Sequence, residues 1–301
     1  MSALPGRWCA PWRVADASYA EFMPEGDTIH RTAAALRPVL VGKPLTRVEV
    51  PRVRPPLPAI GATVERVEAR GKHLLITTSD GLVVHTHQRM TGSWHVYRPG
   101  ERWRKSPRAA RVVLAVPGAV AVCFAAPVVE ILDQSGLRRH PALRRLGPDL
   151  CDPAPDLDEV RQRVARQDPS RAIGEVLLDQ TVACGIGNVY RCDVAFLHGV
   201  DPHAVLGTVP DTVVDALFAT AGRLLRANLD AAERTTVTGA PPGTLWVYGR
   251  GAQPCRRCGI PVASGHLGEQ QRLVYWCPLC QPSGATGTVT VQDAGADDTV
   301  G

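Results

Sequence analysis

No apolar run in this 301-residue chain is long enough to span a bilayer, which sets aside a membrane-spanning helix. Residues 1–23 lack both the basic n-region and the apolar h-region of a secretory signal, so export by that route is not expected. No segment repeats at a fixed period, which sets aside solenoid arrays. A strong charge excess is missing as well: 34 Lys and Arg stand against 29 Asp and Glu, a net +5. Cysteine is present, but nine residues with four in paired Cys-x-x-Cys suit a reducing compartment better than a disulfide scaffold. A chain of this length buries a core comfortably and most often makes two domains.

The arrangement of the charge says more than its sum. Arg98, Arg102, Arg104, Lys105, Arg108 and Arg111 crowd together, as do Arg138, Arg139, Arg144 and Arg145. Clustered arginine is the footprint of a surface that tracks phosphates, with solvated loops as the alternative.

Apolar positions Ile29, Ala33, Leu36 and Leu40 recur at helical spacing from Pro24 to about Val41, and Pro38 is expected to kink or stop that helix. Strand patterns follow at 45–50, 64–68, 73–78, 82–86, 111–116, 119–124 and 128–132, with Ser79-Asp80-Gly81 and Pro117-Gly118 as turns. Short strands at this spacing predict a β-sandwich. Residues 141–156 are expected to be a linker, its later part rich in Pro and Asp. Helical patterns then run through 157–166, 173–181, 189–198 and 211–228, and 245–281 reads as a β-hairpin finger. The stretch 282–301 is small and polar without periodicity, a disordered tail. The expected fold class is α+β: an N-terminal helix with a β-sandwich (24–140), a helical domain (157–240) and the finger.

Cys255-x-x-Cys258 and Cys277-x-x-Cys280 form the strongest local signal. Each pair grips a metal from a tight knuckle, and four thiolates close a tetrahedral zinc site with no position left for water. Such a zinc is structural. Two thioredoxin-like redox pairs would need a βαβ context that 251–281 does not offer.

Met23-Pro24-Glu25-Gly26 reads as a start site inside the chain. Paired with the four-cysteine finger, it resembles the formamidopyrimidine-DNA glycosylase/endonuclease VIII family of DNA repair enzymes. The order helix plus sandwich, helix–two-turns–helix domain and zinc finger agrees from Met23 to Gln281. The resemblance implies that the initiator Met is removed and that the freed Pro24 amine is the nucleophile. An α-amino group titrates near ~8, so a useful fraction is neutral at cellular pH. Inside a chain the same nitrogen is a resonance-stabilised amide and cannot attack. Residues 1–23 are therefore expected to be a mis-called or removed extension.

By the same resemblance Glu25 protonates the sugar ring oxygen as general acid. Arg70-Gly71-Lys72-His73-Leu74-Leu75 resembles the family's Gly-Lys-x-Leu signature and places Lys72 at the lesion phosphate. Gln271-Arg272-Leu273 resembles the hairpin tip whose arginine grips that phosphate, which places Arg272. Gly185-Ile186-Gly187-Asn188, after Leu177-Leu178-Asp179-Gln180, resembles the helix–two-turns–helix turn, with glycine amides open to a phosphate and Asn188 and Arg191 as DNA ligands. His87-Gln88-Arg89-Met90-Thr91-Gly92-Ser93-Trp94 resembles the loop that fills the gap left by a flipped nucleotide, with Met90 as wedge and Arg89 beside it.

The Asp-x-Arg-Arg-Phe-Gly run of the guanine-lesion branch is absent; Phe124-Ala125-Ala126-Pro127 stands there instead. That points to the endonuclease VIII side, which acts mainly on oxidised pyrimidines. Asp27-Thr28 departs from the Pro-Glu that many family members carry, which leaves the base pocket open. The expectation is a bifunctional DNA glycosylase/AP lyase with β,δ-elimination, one structural zinc ion and no catalytic metal or organic cofactor. Its partner would be damaged double-stranded DNA, with single-stranded or abasic DNA as further ligands. It would act without a membrane, as a cytoplasmic, nucleoid-associated monomer. An oxidised-purine glycosylase and a non-catalytic zinc-finger damage binder are the alternatives.

Overall fold

The computed structural model describes residues 24–283. The extension 1–23 and nearly all of the expected tail lie outside them. Of that tail only Pro282 and Ser283 are described, and the Ser283 hydroxyl donates to Asp201 at 3.0 Å.

Helix α1 (Gly26–Leu40) leads into two four-stranded antiparallel sheets. One runs β1 (Arg47–Glu49), β6 (Ala110–Val116), β7 (Ala119–Phe124) and β5 (Ser93–Tyr97). The other runs β2 (Val64–Arg70), β3 (His73–Thr78), β4 (Leu82–His87) and β8 (Val128–Asp133). Ile29, Ala33, Leu36 and Leu40 of α1 enter one core with Val64, Val67, Leu74, Ile76 and Val84 of one sheet and Val112, Leu114 and Ala121 of the other. The expected sandwich is thus present, with α1 packed into it. Pro38 does not break α1; it lies in the last turn, and the helix ends two residues later.

All six residues of β3 are buried because both its faces are covered. Leu74 and Ile76 face the sandwich core, while Leu75 joins Val83, Leu143, Leu146 and Cys184 on the outer face. Two elements had no sequence signal: β5, of which the wedge-loop reading covers only Ser93 and Trp94, and the six-residue α2 (Gln134–Arg139), capped by Asp133. The stretch after α2 is irregular yet packed, with Leu143, Leu150 and Cys151 buried, so it is no solvated linker.

Helices α3 (Leu157–Val164), α4 (Ile173–Leu178), α5 (Asn188–Leu197) and α6 (Asp211–Ala227) enclose a second core. The finger is a hairpin of β9 (Ala263–Leu267) and β10 (Arg272–Trp276) that rests on α5 through Cys192 and Phe196. Its strongest tie is polar. The buried Asp193 carboxylate accepts from the amides of Trp246, Val247 and Tyr248 at 2.8–3.0 Å and from the Thr236 hydroxyl.

Asp193→Ala strands three amides at once, that of Val247 fully buried, so urea unfolding should show a loss of about 3 kcal/mol. An unchanged midpoint would mean that the finger is held by apolar contact alone.

Candidate active site

The first residues described, Pro24-Glu25-Gly26, dock onto the turn that opens α5. The Gly26 amide donates to the Gly185 carbonyl at 2.9 Å. The two Glu25 carboxylate oxygens accept from the amides of Gly187 and Val189, each at 2.8 Å. An anionic acceptor at a helix N-terminus meets unpaired amides and the positive end of the helix dipole. The approach is so close that a Cβ on Gly187 would lie 2.3 Å from Glu25 Cδ, and one on Gly26 2.7 Å from Gly185 Cα. These glycines serve a protein contact rather than an open phosphate site: the Gly187 amide goes to Glu25 and the Gly185 amide to Gln180 Oε1.

Burial drives the Glu25 carboxyl above the usual carboxylate range, against the pull of the Arg234 and Lys72 charges. Asp27, also buried, goes the other way. Desolvation alone would raise it, but Arg234 holds it low with bonds of 2.9 Å from Nε and 2.5 Å from Nη2. Tyr190 donates to the same carboxylate at 3.1 Å, and Arg234 also donates to Thr28 Oγ1 at 2.9 Å. Arg234 Nη1 lies 3.7 Å from Glu25 Oε1.

Lys72 follows the left-handed Gly71 (φ 56°), whose amide donates to Asp149 at 2.6 Å; His30 contacts the same carboxylate at 3.1 Å. This pins the turn between β2 and β3. Burial pulls the Lys72 ammonium down to about 8, partly offset by Glu25 and reinforced by Arg272 and Arg234. The charges of Arg191 and Arg89 press on Arg272 in turn, below the burial effect. Lys72, Arg89, Arg191 and Arg272, separate in sequence, thus form one electropositive group.

Arg272 stands exposed at the start of β10. Arg89, left-handed at φ 46°, and Met90, 57% exposed, project from the loop closed by the Gly92 amide on the Gln88 carbonyl (2.8 Å). Asn188 and Arg191 are buried instead. The Asn188 amide donates to the Leu273 carbonyl at 2.6 Å, Arg191 donates to the same carbonyl at 2.9 Å, and the two side chains bond each other. Arg191 Nε has no partner among the described residues.

Sequence reasoning missed Arg234, which sits in irregular chain beyond α6, 207 residues from Asp27. The one available signal was Asp27 itself, a buried charge that demands a partner. It also missed His87, whose Nδ1 accepts from the Arg89 amide at 3.1 Å, leaving Nε2–H as a donor. Burial and the Lys72 charge bring His87 down to about 4, so that donor is neutral at physiological pH.

The four cysteine sulfurs lie mutually within 4.8 Å, with Cys258–Cys277 at 3.4 Å and Cys255–Cys280 at 4.0 Å. Tetrahedral zinc with Zn–S of about 2.3 Å sets sulfurs ~3.8 Å apart, so the residues fit that ion. His85, Glu130 and His140 also cluster at ligand spacing. There, however, the Leu143 amide donates to His140 Nδ1 at 3.2 Å, which puts the ring proton on Nε2, facing Glu130. A cation would meet that N–H rather than a lone pair.

Comparisons with known proteins place the chain in a family. The family description "Formamidopyrimidine-DNA glycosylase N-terminal domain" matches residues 23–127, and "Formamidopyrimidine-DNA glycosylase H2TH domain" matches 146–239. The probable endonuclease 8 2 of Streptomyces coelicolor is 43% identical over 276 residues, 88% of this chain and 98% of its own. The DNA-(apurinic or apyrimidinic site) lyase Nei2 of Mycolicibacterium smegmatis is 38% identical over 86% of this chain and 99% of its own. Endonuclease 8 of Escherichia coli is 32% identical over 86% of this chain and all of its own. In fold, the chain resembles a Lactococcus lactis FPG mutant solved with a Fapy-dG containing DNA, at a TM-score of 0.72 and 20% identity over 86% of this chain and 100% of that one.

Gly187→Ala drives a methyl group into the Glu25 carboxyl. The expected result is a folded protein destabilised by about 1–3 kcal/mol in urea; wild-type stability would show that the turn relaxes freely.

Proposed function

The chain belongs to the formamidopyrimidine-DNA glycosylase/endonuclease VIII family, and from that premise we propose that it is a bifunctional DNA glycosylase/AP lyase acting on oxidised pyrimidines in damaged duplex DNA. The observation that carries the reading is the pairing of a buried, raised-pKa Glu25 directly after Pro24 with a Lys72 close enough for each to shift the other. Pairs of titratable groups pushed apart by their surroundings are the signature of acid–base chemistry.

The working chain begins at Pro24, with 1–23 and the initiator Met absent. The N-terminal family match starting at residue 23 supports this. The neutral secondary amine attacks C1′ of the damaged nucleotide, forming the N–C1′ bond as the base leaves with its electron pair and takes up the proton that the amine gives up. Glu25 delivers its proton to the ring oxygen, the ring opens, and a charged imine joins Pro24 to the sugar. Loss of a C2′ proton then expels the 3′ phosphate, and a second elimination expels the 5′ phosphate.

Lys72 and Arg272 hold the lesion phosphate, with Arg89 and Arg191 adding positive potential and Asn188 fixing the turn against the finger. Met90 fills the space of the extruded nucleotide; its exposure at a loop tip supports that role. Only three residues link β7 to β8, too few for a second inserting loop, which favours oxidised pyrimidines over oxidised purines. One zinc ion staples Cys255, Cys258, Cys277 and Cys280 and takes no part in the chemistry. The protein works as a monomer on the nucleoid in the cytoplasm.

Borohydride should trap a covalent adduct between protein starting at Pro24 and a thymine-glycol duplex, faster than with an 8-oxoguanine duplex. The adduct should vanish when 1–23 are retained. No adduct on thymine glycol or on an abasic site, from protein whose intact mass begins at Pro24, sinks the enzyme and leaves a damage binder.

The Lys72 charge is present below about 8 and lost above it. Binding of a duplex with a non-cleavable abasic analogue, followed by anisotropy, should therefore weaken about tenfold as pH rises through that value. Lys72→Met should lack this step; a step of equal size in the variant would assign it to another group.

A further inference from the structure

Asp27-Thr28, the departure from the family's opening sequence, and Arg234, unassigned by any motif, turn out to touch. Arg234 is buried and takes the Asp27 carboxylate through two nitrogens, Nε at 2.9 Å and Nη2 at 2.5 Å. Nη2 also reaches Thr28 Oγ1 at 2.9 Å, and Nη1 stands 3.7 Å from Glu25 Oε1. The guanidinium plane caps the Tyr190 ring at 5.1 Å. One cation therefore spans both carboxylates that begin α1 and ties them to the chain beyond α6.

We propose that Arg234 is a positioning residue: with Asp27 and Thr28 it forms a matched unit that flanks the Glu25 carboxyl and governs its charge. The inference rests on the glycosylase/lyase reading for its functional meaning, but not for its test.

Two carboxylates within the first turn of a buried helix start repel each other, and one of them would take up a proton. Arg234 removes that conflict by committing its fork to Asp27. Asp27 stays ionised and absorbs most of the cation, while Glu25 receives only a glancing contact and keeps its raised affinity for a proton. Among the described residues, the groups facing Glu25 are Asp27 of α1, Lys72 between β2 and β3, Tyr190 of α5, Tyr248 of the finger, and Arg234. Of these, Arg234 exerts the largest lowering effect on Glu25, and Asp27 opposes it.

The signs follow. Removing Asp27's charge takes away a like charge beside Glu25 and lowers the pH of its ionisation. Removing Arg234 raises it. Removing both raises it by less, because the larger of the two opposing effects is lost. Arg234→Lys retains the charge and stays near the wild type.

The experiment is a ¹³C NMR titration of the Glu25 carboxyl in wild type, Asp27→Asn, Arg234→Met, Arg234→Lys and the Asp27→Asn/Arg234→Met pair, with Glu25→Gln for assignment. The expected order of midpoints, lowest first, is Asp27→Asn, wild type, double variant, Arg234→Met, with a total spread of about 1 to 3 pH units. The double variant leaves no lone buried charge, so it keeps the test valid where Arg234→Met fails to fold. Coincident midpoints, with only the unfolding temperature moved, would overturn the proposal and leave Arg234 a structural tie. The same proteins, starting at Pro24, are then assayed for cleavage of an abasic-site duplex. Activity whose decline with rising pH follows the NMR order supports the functional link. Inactivity of the wild type alongside ordered midpoints would refute the enzyme reading and not the role of Arg234.

Discussion

The seating of the Glu25 carboxylate on the first amides of α5 is the contact on which the rest depends. It joins the residue ahead of α1 to a turn more than 160 residues away, in a buried setting where a charge-assisted hydrogen bond outweighs a neutral one. The contact requires bare backbone on both sides, hence Gly26 against Gly185 and Gly187 against Glu25. The same helix carries the finger, through Asp193 on the amides of 246–248 and through Asn188 and Arg191 on Leu273. One ten-residue helix thus sets both the proposed acid and the arginine hairpin in a single frame.

Around that frame the charges are sorted. Glu25 and Asp27 share Arg234, and Glu25 also meets Lys72, which belongs to the electropositive group with Arg89, Arg191 and Arg272. Histidines nearby stay neutral: burial and neighbouring cations bring His73 down to about 2 and His87 to about 4. His73 and His85 are joined at 2.8 Å, and His85 donates onward to Glu130 at 2.7 Å. Lone pairs and N–H groups are therefore fixed in direction without adding charge. Such an arrangement presents positive potential to a phosphate while sparing one carboxyl for proton transfer.

The reading of short motifs succeeded where local chemistry dictates structure. Apolar spacing placed α1 and most strands of the sandwich, and paired Cys-x-x-Cys placed the cysteine cluster. It failed where partners lie far off in sequence. Ser93–Tyr97 became β5 because β7 offers it an edge, although its own burial pattern is weak. The six residues of α2 are too few for any helical period to register. The glycines of 185–187 looked like a cradle for phosphate, yet their amides are spent on Gln180 and Glu25.

By itself the sequence determined the parts: a helix with one apolar stripe, strands with period two, a four-thiolate knuckle pair and a Pro-Glu-Gly start. These follow from bond geometry and side-chain chemistry within a few residues. Tertiary structure decided which parts meet. Asp27 and Arg234 are ordinary charges until folding removes water from both, and only then does each become the necessary partner of the other. Lys72 is likewise an ordinary lysine at a strand start until packing sets it against Glu25 and Arg272. Burial and proximity are properties of the whole fold, and they turned an unremarked arginine into part of the candidate site.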